Sequence, residues 1–149
     1  MTENPSDNLT IVVEPSSGIL RAMWARSLLT AGRIDSYWQL LSTAEAQGSC
    51  RFWHLDLRLS IWPPATFMHW LSNTYAPLAA QRLGGPVHVA CWVSPQHQEQ
   101  VEEGITVTMQ QRAAAGGLHV AFFTKEPEAR TWLLQQQARE AAEGQSPTS

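Results

Sequence analysis

Apolar and polar positions along this chain alternate between two periodicities. Short runs rich in β-branched and aromatic residues, at 9–13, 19–24, 52–59, 87–93 and 119–123, read as strands. Residues 9–14 and 19–26 flank Pro15-Ser16-Ser17-Gly18, four turn-formers in a row, so a β-hairpin opens the domain. Next, Ile34, Tyr37, Trp38 and Leu41 fall at i, i+3, i+4 and i+7, which is one face of a helix. Thr30 or Asp35 is placed to cap its start and Gly48 to end it. The third run, 51–59, alternates: Trp53, Leu55, Leu57 and Leu59 point one way, and Phe52, His54, Asp56 and Arg58 the other.

Pro63-Pro64 then breaks the chain, and Thr66 is positioned to cap a second helix with Phe67, Trp70, Leu71, Thr74 and Leu78 on one face. Pro77 should kink or shorten that helix, and Gly84-Gly85-Pro86 stops it. Ser94-Pro95 opens a third helix with Val101, Ile105 and Thr108 inward, closed by Gly116-Gly117. After a fifth strand at 118–123, Thr124 is expected to cap a last helix that tolerates Pro127 in its first turn. Its sheet-facing stripe is Ala129, Trp132 and Leu133. The order ββαβαβαβα specifies a single-domain α/β fold with a mixed, mainly parallel five-stranded sheet and one antiparallel hairpin strand.

Composition narrows the picture. A chain of 149 residues with 44% apolar content suits one hydrophobic core. Residues 1–8 and 139–149 are polar with nothing to bury, and read as disordered tails around a domain at 9–138. A net charge of −3, with basic residues scattered among acids, offers no general attraction to nucleic acid. No apolar run approaches the roughly 18 residues of a membrane helix, and the start lacks a signal-peptide pattern, so a cytoplasmic location without membrane insertion is expected. Cys50 and Cys91 are too isolated for a disulfide framework or a zinc site.

The ββαβαβαβα order, Leu55-Asp56-Leu57-Arg58 and Phe123-Thr124-Lys125-Glu126 resemble the STAS/SpoIIAA-like fold. The resemblance extends to uncharacterised bacterial proteins of that type, known mainly from Bacteroidetes, through Gly18-Ile19-Leu20, Trp24, Tyr37-Trp38-Gln39-Leu40-Leu41, Leu83-Gly84-Gly85-Pro86-Val87 and Val93-Ser94-Pro95. It covers roughly residues 9–136. It implies an interaction domain that in some members binds small ligands such as lipids or nucleotides. In anti-sigma-factor antagonists of this fold, a serine in an Asp-Ser-Ser/Thr-Gly motif after the third strand is phosphorylated. Here that stretch is Ser60-Ile61-Trp62-Pro63-Pro64-Ala65-Thr66-Phe67, without the Asp-Ser pair or the glycine. Ser60 and Thr66 remain as phosphoacceptor candidates.

Candidate chemistry is sparse. Asp56 and Arg58 are neighbours on one strand face at a C-terminal strand end, where open α/β sheets bind ligands; the plainer reading is an ion pair that ties down the strand end. His54, His88 and His119 sit near the starts of three strands, the wrong end for ligands, and read as separate histidines and not as a metal site. Gly84-Gly85 and Gly116-Gly117 precede strands, so they break helices and do not grip phosphate. Of seven tryptophans, Trp38, Trp53, Trp70 and Trp132 fit core stripes, whereas Trp24, Trp62 and Trp92 divide between an association surface and additional core.

These features point to a non-enzymatic, cytoplasmic protein-interaction module, a homodimer or the partner of another protein, that associates through Trp24, Trp62 and Trp92. The alternatives are a small apolar-ligand-binding domain, with a pocket near the C-terminal strand ends rimmed by Asp56 and Arg58, and a phospho-regulated switch at Ser60 or Thr66. No cofactor and no metal are expected.

Overall fold

A computed structural model describes residues 9–24 and 30–144. The expected tail at 1–8, residues 145–149 of the tail expected at 139–149, and the end of the second run at 25–26 lie outside the described residues. Five strands, β1 (Leu9–Val13), β2 (Leu20–Trp24), β3 (Phe52–Asp56), β4 (Val87–Trp92) and β5 (Leu118–Phe123), lie side by side in sequence order. β1 runs antiparallel to β2, and every later pairing is parallel, as the alternation of runs and helices implies. The hairpin closes through Gly18 N–H to the Glu14 carbonyl (2.9 Å), with Gly18 at φ 69°.

Pleating divides the strand residues between two layers. Leu20, Ala22, Trp53, Leu55, Val87, Val89, Cys91 and Leu118 face the main core. Against them pack α1 (Thr30–Ala46), α2 (Ala65–Trp70), α3 (Ala76–Leu83) and α5 (Gly104–Ala115). The opposite face is covered by α6 (Glu126–Gly144), whose Ala129 and Leu133 join Ile19 and Ala90 in a second small core. Glu126 and Glu128 in the first turn of α6 complement the helix dipole.

Several boundaries differ from the expectations. β3 stops at Asp56, so Leu57 only partly packs on the core and Leu59 is exposed. α6 continues past 138 to Gly144 because Glu140 pairs with Arg51, before β3, through two bonds of 2.6 Å. Asp35 lies inside α1 and caps nothing, and the side chain of Thr30 lies outside the described set. The N-cap of α2 is Pro64, which makes no side-chain cap; Thr66 is an exposed residue in the first turn. Thr124 precedes α6 by two residues and does not occupy the cap position.

The second helix neither ends nor breaks before Pro77. A π-helical turn (Leu71–Tyr75) joins α2 to α3, and Pro77 sits just inside α3. In an unbroken α-helix residue 77 would donate to the carbonyl of residue 73, a bond proline cannot make. The wider turn also shifts the buried stripe, so that Phe67, Leu71, Tyr75, Ala79 and Leu83 are inward, and Thr74 is exposed. A similar shift follows Ser94. A 3₁₀ turn (Pro95–His97) and a short α4 (Gln98–Val101) end before an extended Glu103, and α5 restarts at Gly104. Thr106, Met109 and Ala113 therefore point inward, and Ile105 and Thr108 outward.

The turn from α5 to β5 passes so close to α3 that a Cβ on Gly117, at φ 102°, would sit 2.7 Å from the Cβ of Ala80. Gly48 has a similar φ of 84° but nothing within 4 Å. Gly117→Ala is therefore expected to lower unfolding free energy by about 2–4 kcal/mol, and Gly48→Ala by roughly 1 kcal/mol. Urea denaturation of both variants checks this, and equal losses would contradict the close approach.

Candidate functional site

A concave region lies on each face of the sheet. The first is a cavity of about 40 Å³ at the carboxyl ends of β2, β3 and β4. Trp24, Tyr37, Leu57, Phe67 and Val93 line it with Arg33, and Ser60, Ile61, Pro63 and His97 complete its wall. The parallel strands bring these groups together because each one ends where its following loop turns back towards the helices. Trp24 stacks on Tyr37 with centroids 5.6 Å apart, and Tyr37 meets the Phe67 ring edge-on at 5.3 Å.

Arg33 is the charged member of this wall. It lies on the buried stripe of α1 with Tyr37, Leu40, Leu41 and Ala44, and is only 8% exposed. One guanidinium nitrogen donates to the Ile61 carbonyl (3.1 Å), and the group lies 5.3 Å from the Phe67 ring centroid. Among the described residues no carboxylate pairs with Arg33. Burial pushes its pKa below the usual arginine value, because removing water disfavours the cation. Trp24, 3% exposed, also carries an indole N–H with no hydrogen-bond partner among the described residues.

The second region is a shallow groove of about 230 Å³ on the opposite face, where α6 leaves β1 and β2 uncovered. Thr10, Val12, Glu14, Arg21, Met23, His54 and Asp56 line it. His54 is 1% exposed, and its Nε2 lies 3.5 Å from Glu126 without making a hydrogen bond. Burial, reinforced by Arg21 and opposed by Glu126, lowers the His54 pKa. Further along α6, burial and the neighbouring His119 lower that of His88, against the pull of Glu140.

The structure does not bring Asp56 and Arg58 to the cavity. Both lie on the α6 side of the sheet, where Arg58 grips the Asp56 carboxylate through bonds of 2.9 and 2.8 Å. The guanidinium covers the Trp92 ring at 3.4 Å, so the pair ties down the strand end, and only Asp56 of the two lines the shallow groove. The Asp56 carboxyl is held below the usual carboxylate range, burial opposing the shift and the Arg58 bonds producing it. His88 and His119 are register partners with stacked rings 5.1 Å apart, but His54 pairs with Ala90 and stands apart. Burial holds the Cys91 thiol neutral, its pKa pushed up to about 12.

Of the three tryptophans expected at a surface, Trp24 is instead core and cavity wall. Trp62 is half-buried between His97 (5.5 Å) and Phe122 (5.6 Å). Trp92 is half-buried beneath Arg58 and donates to the Thr124 carbonyl (3.3 Å). Ser60 borders the cavity, whereas Thr66 is exposed on α2. Arg33 escaped the sequence reading, although a signal was present: it precedes Tyr37 by four residues, which puts a charge on the apolar stripe of α1.

The two depressed histidines set a pH dependence. The unfolded chain takes up protons on these side chains near pH 6.5, whereas the folded chain keeps them neutral to lower pH. Stability is therefore full above pH 6.5 and falls as pH drops below it, by at most about 1.4 kcal/mol per pH unit for each histidine. Urea midpoints measured at pH 7.5 and 5.5 should show the fall, and His54→Gln should remove part of it; a flat profile would rule out neutral burial. Comparison with protein-family models, with curated proteins and with solved structures found no match.

Proposed function

We propose that this chain is a small-ligand-binding domain of STAS/SpoIIAA-like architecture, with its ligand seated at the carboxyl ends of β2, β3 and β4. The observation that carries this reading is the aromatic-walled cavity between Trp24, Tyr37, Phe67 and Val93. Its position is the one open α/β sheets favour for ligands, and apolar walls with a few polar groups are what small-molecule sites present. The sequential arrangement of β2 to β5 supports the architectural part of the proposal. No acid–base pair faces the cavity at bonding distance, so binding is favoured over catalysis among the described residues.

Phenylethanol is a suitable neutral probe. Titrated into isotopically labelled protein, it should shift the amide resonances of Leu57, Phe67 and Val93. Ser60→Phe, which fills the cavity from its rim, should weaken that binding by about 10-fold or more. Shifts confined to other surfaces, or affinity unchanged in Ser60→Phe, would count against the site.

A second reading, self-association, is favoured by one observation. Val12 (55% exposed) and Met23 (45%) present apolar surface on the part of the sheet that α6 leaves open. If this face pairs with a second copy, light scattering should detect a dimer that Met23→Glu dissociates. A monomer at all concentrations would dismiss it.

A further inference from the structure

From the donor-bearing residues that line the cavity we infer that its ligand is a small organic carboxylate, with the acid head held by Arg33 among the aromatic rings and the apolar body leading out past Ile61. This rests on the ligand-binding reading of the same site.

Two donor-bearing residues of the cavity wall, Arg33 and Trp24, are incompletely matched by their surroundings. Arg33 brings a full positive charge to a position 8% exposed, with the Ile61 carbonyl as its hydrogen-bond partner and no carboxylate beside it among the described residues. Buried charges are ordinarily paired, because an uncompensated ion in an apolar setting loses hydration that nothing replaces. Trp24 lines the same cavity, and its buried indole N–H lacks an acceptor among the described residues. A buried cation without a carboxylate and an indole N–H without an acceptor among the described residues therefore line one small space. A carboxylate supplies the charge for the first and lone pairs for the second.

Charge and size select among anions. One guanidinium balances one negative charge, and the remaining wall, apolar and aromatic apart from Ser60 and His97, brings no second arginine or lysine for a dianion such as phosphate. A cavity of about 40 Å³ admits an acid head and little more. The body of the ligand must then extend past Ile61, a cavity-lining side chain that is 57% exposed.

The test compares phenylacetate with its neutral isostere phenylacetamide by calorimetry, using wild type, Arg33→Met and Trp24→Phe. Phenylacetate should bind wild type about 10- to 100-fold more tightly than the amide. Arg33→Met should abolish that preference, and Trp24→Phe, which keeps a ring but loses the N–H, should reduce it. Equal affinity for acid and amide overturns the carboxylate assignment, while binding of phenylethanol at the cavity keeps the wider reading. Failure of all three probes to bind overturns both. Displacement of phenylacetate by equimolar inorganic phosphate overturns the requirement for an apolar body. Should Arg33→Met fail to fold, the acid-to-amide ratio in wild type decides alone.

Discussion

The buried hydroxyl of Tyr75 ties together the helices that shape the rest of the molecule. Tyr75 is fully buried, and its only permissible position is one where the O–H finds an acceptor; the Tyr37 carbonyl provides it at 2.6 Å. That bond joins α1 to the π-helical turn between α2 and α3. Around it the Tyr75 ring meets Tyr37, Trp38, Trp53 and Trp70, with centroids between 5.2 and 6.4 Å apart. Each such large side chain contributes roughly 1.5–3 kcal/mol on burial. The same web fixes Tyr37 and, one turn earlier, Arg33, so the cavity at the strand ends inherits its shape from the aromatic core.

The other face of the sheet obeys a different economy of contacts. A parallel sheet must be covered on both sides, yet a single helix, α6, covers β3 to β5. Beside its small apolar core of Ala129 and Leu133 it rests on polar partners: Glu140 on Arg51, Arg130 on Glu14 (2.9 Å), and Gln137 on the Ser17 carbonyl (2.6 Å). These contacts explain why His54 and His88, which alternate outward from the main core, are nevertheless dry. They also leave β1 and β2 open, which creates the shallow groove.

Much of the architecture was legible because strand and helix periodicities differ. The hairpin around Pro15-Ser16-Ser17-Gly18, β4, β5 and the Ala129–Leu133 stripe all follow from local pattern and turn chemistry. The inward faces of α3 and α5 did not, since a π turn at 71–75 and a break at 102–103 each reset the phase of a helix. Nothing in a periodic reading announces such a reset. The Asp56–Arg58 pairing follows from their two-residue spacing at the strand end, but which layer it faces depends on α6. Trp24, which its sequence context leaves divided between an association surface and core, is core because its polar strand neighbours sit on the opposite side of the pleat. Arg33 required tertiary knowledge: only the packed cavity shows that a charge on an apolar stripe lacks an acid.

The Arg51–Glu140 clamp joins residues 89 positions apart. α6 follows every strand it covers, so during synthesis the sheet is complete while its second face is still bare. Ile19, His54, His88 and Ala90 then stay in water until the last helix docks, and the nascent domain is exposed to pairing with its neighbours for that interval. Ion pairs that act beside the small apolar stripe of Ala129 and Leu133 make the docking step sensitive to salt. Ionic conditions during folding would then influence how quickly the second face is covered.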